Sequence, residues 1–296
     1  MADLRANQAE MLIDDAVLGA GRSRARTVGG AVALRVRRVV ASTWLLAVLL
    51  LGWQLYATWR PSVFFPPLDE VMTRFREDWL SGPATRLFLS EQFFDAAVPS
   101  LGRLARGWGL AVVVGIACGV LMGRSRFIAR AYSPTMRFWM AVPNAALLPI
   151  AVQIFGVRDS MNVFLIFVGA VGLIIVNTAD GVAGVDEAWI RSAHSMQVPT
   201  SKLYLQVIIP AAMPAIMTGL RVSIGIGLIL MIISELYATT SGLGYQVTLY
   251  QQQFRYIGMW STFVLIAVIG LLLNGALGIV ERRVLRWQRR SGLGAF

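Results

Sequence analysis

Long apolar runs alternate with polar stretches along the chain, at about residues 41–59, 101–122, 134–156, 161–182, 211–236 and 259–281. Each is close to the ~20 residues that a helix needs to cross the ~30 Å apolar core of a bilayer. The pattern predicts an all-α, polytopic membrane protein with six transmembrane helices. In the second run, Gly115, Gly119 and Gly123 recur at four-residue spacing, in company with Gly107 and Gly109. Small residues so placed let helices approach closely in lipid. Pro143 and Pro149, with Asn144 between them, interrupt the third run. Prolines there free backbone carbonyls, which protein or a water-filled path must satisfy. The fourth run ends in Asn177, Thr178 and Asp180; the fifth carries Arg221 and ends in Ser234-Glu235. Trp44, Trp53, Tyr56 and Trp59 in the first run suit interfacial belts.

The polar stretches have patterns of their own. Pro61, Pro66 and Pro67 predict an extended entry to residues 61–100, followed by a helix from Asp69 to Trp79 with Asp69 and Glu70 in its first turn. Between runs four and five, Trp189, Ala193 and Met196 fall at i, i+4 and i+7, which gives one apolar stripe on a short helix. Arg191, Ser192, Ser195 and Gln197 lie on the opposite side. Pro199 breaks this helix, and Thr200 and Ser201 are candidate caps for the next. A short amphipathic helix held between two spans either lies on the lipid surface or finds a partner for its exposed side. Residues 237–258 are polar, with Gly242 and Gly244 as turn formers.

Charge orients the chain. Arginines cluster in the N-terminal segment 1–40 (Arg22, Arg24, Arg26, Arg35, Arg37, Arg38), after run two (Arg124, Arg126, Arg130, Arg137) and in the tail 282–296. Acids gather in 61–100 and beside the short turn Gly156-Val157-Arg158-Asp159. Cytoplasmic loops carry the excess of Lys and Arg. Both termini and 183–209 are therefore expected inside, and 61–100 outside. The net charge of +11 belongs to this topology and not to a nucleic-acid face, because the arginines sit beside apolar spans. The basic N-terminal segment is also compatible with anionic lipid. No cleavable signal core is evident, since the first apolar run begins near Ala41.

Candidate chemistry is sparse. Cys118 is the single cysteine and His194 the single histidine, which excludes a disulfide framework and a multi-His metal site. No carboxylates cluster in the spans, so a membrane enzyme has little to build on. Asn144, Asn177, Ser234, Glu235 and Thr239 are candidates for a translocation path, since polar groups near broken helices can line one. Arg221 is a structural charge; at fourteen positions from Glu235 it cannot pair with it along one helix, and Asp180 or Glu281 are its expected partners.

The segment 185–221, read with its surroundings, resembles the permeases of binding-protein-dependent ABC importers, and within them the sulfonate, taurine and nitrate branch. That family's cytoplasmic loop carries Glu-Ala-Ala, then a Gly, then a Leu-Pro pair. Counting back from Pro210 places the triplet at Arg191-Ser192-Ala193 and the Gly at Gln197. Ala193 and Pro210 match; the acid and the glycine do not, and Glu187-Ala188 offers a register that fits the proline less well. Val185-Asp186, Pro210-Ala211-Ala212-Met213-Pro214 and Thr218-Gly219-Leu220-Arg221 follow the branch's pattern. So do Pro99-Ser100-Leu101, Val142-Pro143, Leu148-Pro149, Phe155-Gly156 and Ser241-Gly242-Leu243-Gly244-Tyr245.

The resemblance implies a type I importer fold, with a first helix at 41–60 and a core transmembrane domain over 101–281. It implies a non-catalytic subunit in the plasma membrane, paired with a second permease copy. It also implies two cytoplasmic ATPase subunits that bind ATP and Mg, and an extracytoplasmic substrate-binding protein; this chain itself holds no cofactor. Trp189, Arg191, Ser192, Ala193, Met196 and Gln197 are then the coupling residues. A small anion such as a sulfonate, taurine or nitrate is the implied substrate, and a secondary transporter or channel driven by an ion gradient is the competing reading.

Overall fold

The computed structural model describes residues 44–287. The basic segment 1–40, the first residues of the first apolar run and the arginines at 289 and 290 lie outside them. The described chain is helical, and two compact units divide it at Asp69.

The first unit carries helix α1 (Trp44–Trp59) and the strap that follows it. Gln54 fastens the two. Its Oε1 accepts from the backbone N–H of Leu68 at 2.7 Å, and its Nε2 donates to Asp69 Oδ1 at 2.9 Å. Trp53 Nε1 donates to the Pro66 carbonyl, and its ring stacks on Phe65.

The second unit runs through α2 (Leu68–Trp79), α3 (Glu91–Arg124), α4 (Arg126–Ala141), α5 (Leu148–Phe155) and α6 (Asp159–Ala183). It continues through α7 (Glu187–Ser195), α8 (Thr200–Leu203), α9 (Ile209–Ala238), α10 (Leu243–Gln252) and α11 (Tyr256–Val284). Four helical stretches are long and apolar enough to cross a membrane: Ala84–Arg124, Asp159–Ala183, Thr200–Ala238 and Tyr256–Val284. The third expected span is broken. Its halves α4 and α5 meet at 85° around Pro143, with a single 3₁₀ turn, Asn144–Leu147, between them. Counted as one span, the pair makes five; α1, whose run begins before the described residues, is shorter than the others.

The glycine pattern of α3 sets the central packing. A Cβ at Gly115, Gly119 or Gly123 would come within 2.5–2.7 Å of atoms of α6, namely Ile174, Thr178 and the Ala179 carbonyl. Gly109 meets nothing within 4 Å. Thus the four-residue series is the contact face, and Gly109 lies off it. α6 is enclosed between α3 and α9, and its apolar residues are buried along most of its length.

Several expectations need correction. α3 begins at Glu91, well before residue 101, because Ser90 caps it by accepting from Phe93 N–H at 3.1 Å. Its 34 residues span ~51 Å, well over the ~30 Å apolar core of a bilayer. Neither Thr200 nor Ser201 caps the helix after Pro199; Pro199 holds the cap position, with no side-chain bond. That helix runs on into α9 through a π turn, Tyr204–Ile208, in which Ile209 N–H bonds to the Tyr204 carbonyl. The wider turn precedes Pro210, which has no N–H to offer. The polar stretch after α9 contains a ten-residue helix, α10, which its composition did not reveal.

Candidate functional site

Two loci at opposite ends of the bundle collect the singled-out residues. The inner one is α7. Asp186 caps it, its Oδ1 accepting from Ala188 N–H at 2.8 Å. Ala193 is buried in the main apolar cluster with Val185, Leu203, Ile208 and Ala212, and Ile190 and Val198 pack on the same cluster. Trp189 and Met196 are 53% and 77% exposed. The expected stripe is therefore split: Ala193 faces the protein's own body, while Trp189 and Met196 face outward. Ile190, one residue from Trp189 and about 100° round the helix, packs inward beside Ala193.

Arg191, Ser192 and Gln197 are exposed. Arg191 Nη1 lies 3.3 Å from Glu187 Oε2 one turn earlier, with both side chains largely exposed. α7 ends in a left-handed residue. Gln197 has φ 53°, its N–H bonds to the His194 carbonyl at 2.9 Å, and Val198 N–H reaches back to the Ala193 carbonyl at 3.0 Å. This is the paired closure usually built on glycine. Gln197 thus occupies the conformation for which the family pattern places a glycine.

Above α7, Arg221 Nη2 bonds to Glu281 at the end of α11. Of its two expected partners, Glu281 is the one used. Asp180 instead lines a crevice of about 410 Å³ between the inner ends of α3, α4 and α6, together with Met122, Ser133, Met136, Met140 and Val176.

The outer locus was not foreseen as a unit. Glu235 and Ser234 are fully buried, and Arg103 nearly so. Arg103 donates to four acceptors: Nε to Asp159 Oδ1, Nη1 to Glu235 Oε1 and the Ser241 carbonyl, and Nη2 to Ser241 Oγ, each at 2.8 Å. Ser100 Oγ donates to the Glu235 carboxylate at 2.8 Å, and Gly244 N–H donates to it at 3.0 Å. Leu243 N–H donates to Ser100 Oγ at 2.8 Å. Gly242 has φ +114°, and a Cβ there would stand 2.4–2.5 Å from the Glu235 carboxyl atoms. The Ser-Gly-Leu-Gly turn is thereby a cradle for one buried carboxylate. About 31 Å of helix separates Arg103 from Arg124 at 1.5 Å per residue, close to the ~30 Å thickness of the bilayer core. Arg103 and Arg124 thus stand about one bilayer core apart on α3. An arginine inside an apolar span is itself a signal, and it was passed over because its partners lie far along the chain.

The other path candidates divide in the same way. Ser234 Oγ donates to the Met231 carbonyl, and Thr239 Oγ1 to the Glu235 and Ser241 carbonyls. Asn177 is half-buried, its amide bonded to the Leu173 carbonyl one turn back. Asn144 sits at the break in the third span, and its buried Oδ1 has no partner among the described residues.

A second polar knot joins α2 to α10. Asp78, buried, pairs with Arg74 at 2.9 Å and accepts from Tyr250 Oη at 2.9 Å. Partial burial alone would lower the Arg74 pKa, but the Asp78 charge and the contact with Tyr250 outweigh it and the net shift is upward. Among the described residues, no group of His, Cys, Asp and Glu could hold a metal ion.

A family model described as the binding-protein-dependent transport system inner membrane component matches residues 111–286. The taurine transport system permease protein TauC of Escherichia coli (strain K12) is 30% identical over 85% of this chain and 90% of its own length. The bicarbonate transport system permease protein CmpB of Synechococcus elongatus is 31% identical over 67% of this chain and 72% of its own length. Among solved structures, an inward-facing form of the MetNI methionine ABC transporter is similar in fold. It has a TM-score of 0.55 and 19% identity over 63% of this chain and 93% of that one.

Proposed function

The chain belongs to the family of binding-protein-dependent transport system inner membrane components, and on that premise we propose how its two loci serve transport and what it carries. It is a multi-pass, non-catalytic permease subunit of an ABC importer with the type I importer fold, and ATP is hydrolysed in a separate subunit. An ATPase and an extracytoplasmic substrate-binding protein are the partners that the family implies. The ion-gradient reading falls with that membership.

The finer assignments are as follows. The permease forms a dimer, most simply with a second copy of itself, and docks two ATPase subunits that bind ATP and Mg. Six spans place both termini in the cytoplasm. α7 is the coupling helix. The observation that carries this is its division into an anchored face, Ile190 and Ala193, and an exposed face bearing Trp189, Arg191, Ser192 and Met196. A helix fixed to two spans on one side and apolar on the other can pass movement from a docked subunit into α9. Ala193 is the pivot of that arrangement and not a contact to the ATPase.

The path runs beside the broken third span, where Asn144 has an unpartnered oxygen, and reaches the crevice lined by Ser133 and Asp180. Glu235 and Ser234 serve as anchor and not as wall, since neither is exposed. The substrate is a small anion or zwitterion of the sulfonate, taurine, nitrate or bicarbonate class. This rests on the relatives, two of which are named for taurine and for bicarbonate.

Cysteine chemistry tests the assignment. In a Cys118→Ser background, Ser192→Cys should cross-link to an ATPase groove cysteine in the purified complex, and an impermeant reagent should label Ser192→Cys and Ser62→Cys from opposite faces. Absence of the cross-link, with expression intact, removes the coupling role; labelling from one face removes the six-span topology.

A further inference from the structure

Four charges meet at the outer boundary, and they are not equivalent. Glu235 is wholly buried and Arg103 is 5% exposed, while Asp159 and Arg106 are 48% and 57% exposed. Asp159 accepts from Arg103 Nε at 2.8 Å through one oxygen and from Arg106 Nη2 at 2.9 Å through the other. Each side contributes two charges, so the set is neutral. The inner half ties α3 to the end of α9 and to the start of α10. The outer half ties α3 to the first residue of α6.

The two halves differ in how readily they part. Separating a buried pair strands a charge away from water, which is strongly unfavourable. In the outer half the Arg106–Asp159 pair is exposed on both sides and parts at little cost, because water replaces each partner, while the Arg103–Asp159 bond joins a buried guanidinium to a carboxylate that water already reaches. The weak half holds only the outer tip of α6, beyond the stretch packed between α3 and α9. α6 begins just after the broken third span, at a turn where Gly156 has φ +66°. α5 rests on the start of α6 and the end of α9 through a separate small cluster, which includes Ala151, Met161, Leu165 and Ala238.

We propose that Asp159, gripped by Arg103 and Arg106, is a releasable latch that positions the outer end of α6 and α5, while Arg103 and Glu235 form the fixed post against which it closes. The outer mouth of the path opens when Asp159 leaves the two arginines, and α3, α9 and α10 stay together as it does so. Arg103, Arg106 and Asp159 are positioning residues; none is assigned a contact with substrate. The gating role rests on the importer reading above, but the latch itself can be measured on the permease alone.

Amide hydrogen exchange on the full chain in lipid nanodiscs is the test. Asp159→Asn should speed exchange across 157–166 by about two- to fivefold, the range of an exposed pair's contribution, and leave 232–246 unchanged. Arg106→Gln should do the same to a smaller degree, and Asp159→Glu should restore slow exchange. Glu235→Gln should speed both segments. The latch is overturned if Asp159→Asn speeds neither segment, or speeds both alike, which is what a merely structural contact would give. A second readout is ATP hydrolysis by the complex with its ATPase in the absence of binding protein, which should rise in Asp159→Asn. A native complex that fails to hydrolyse ATP counts against the importer reading, and the exchange result still decides the latch.

Discussion

Gln197 pays for the end of α7 in backbone strain, and relieving that strain has a calculable effect. Its φ of 53° lies in the left-handed region, where an L side chain other than Asn or Asp costs about 1–2 kcal/mol. Glycine escapes that cost but gives up more chain entropy on folding, roughly 0.5–1 kcal/mol. The balance favours Gln197→Gly by about 0.5–1 kcal/mol. Nothing else in the structure opposes the change, since the Gln197 side chain is exposed and makes no bond among the described residues.

The gain should appear locally, because the two bonds that close the helix are those of Gln197 N–H and Val198 N–H. Their exchange in the isolated permease should slow by about two- to fivefold, the factor that corresponds to 0.5–1 kcal/mol at 25 °C. Exchange in α6, which is buried elsewhere, should not change. Faster exchange at 197–198, or equal slowing throughout the chain, would refute the reasoning. Gln197→Ala is the control: it keeps the left-handed strain, so it should not reproduce the slowing.

Glu235→Ala leaves the Arg103 guanidinium buried beside an empty cradle and should destabilise the permease by about 3–5 kcal/mol, read as a lowered thermal midpoint in detergent; an unchanged midpoint would deny the post. Gly119→Val should abolish folded yield, because its Cβ alone would meet Thr178 at 2.5 Å, whereas Gly109→Ala, with nothing within 4 Å, should be neutral. Arg221→Glu should cost no more than about 1 kcal/mol, since its pair with Glu281 is partly exposed, and Arg221→Glu with Glu281→Arg should recover the loss. Arg191→Glu places two acids one turn apart, with Glu187, and should lower α7 stability by only a few tenths of a kcal/mol; full loss of ATPase coupling in that variant would then locate an acid on the partner.

The sequence was legible where one-dimensional spacing carries the physics. Apolar runs of spanning length and the prolines inside one of them led to α6 and to the break at Pro143; glycines at four-residue intervals announced a close helix contact without naming α6, and Arg221 had two candidate partners, of which Glu281 is used. It was misleading on α7 because hydrophobicity in a membrane protein does not say which apolar side faces protein. Trp189 and Met196 are as apolar as Ile190 and Val198, yet only the latter two reach the body. The outer locus was illegible for another reason. Arg103 and Glu235 are separated by 132 positions, and their pairing depends on how α3 packs beside α6 and α9, an approach that the glycines of α3 permit but do not announce.

The contrast between the two ends of the bundle follows from what each must do. At the outer boundary Arg103 and Glu235 are buried, bonded at 2.8 Å and cradled by a glycine turn that admits no side chain. At the inner boundary, Arg191, Glu187 and Arg221 remain open, and the only strained backbone residue in the coupling segment, Gln197, is on the surface. On the proposed docking role, an end that meets a separate subunit keeps its charges accessible, because burying them within the chain would leave none to pair across the interface. An end that must hold three helices in fixed register can bury them. The buried post at Arg103–Glu235 and the exposed face of α7 are therefore complementary solutions, and exchanging them would fail in both directions. A buried ion pair in α7 would leave no charge for a partner to meet, and an exposed pair at Arg103 would let α9 and α10 separate from α3.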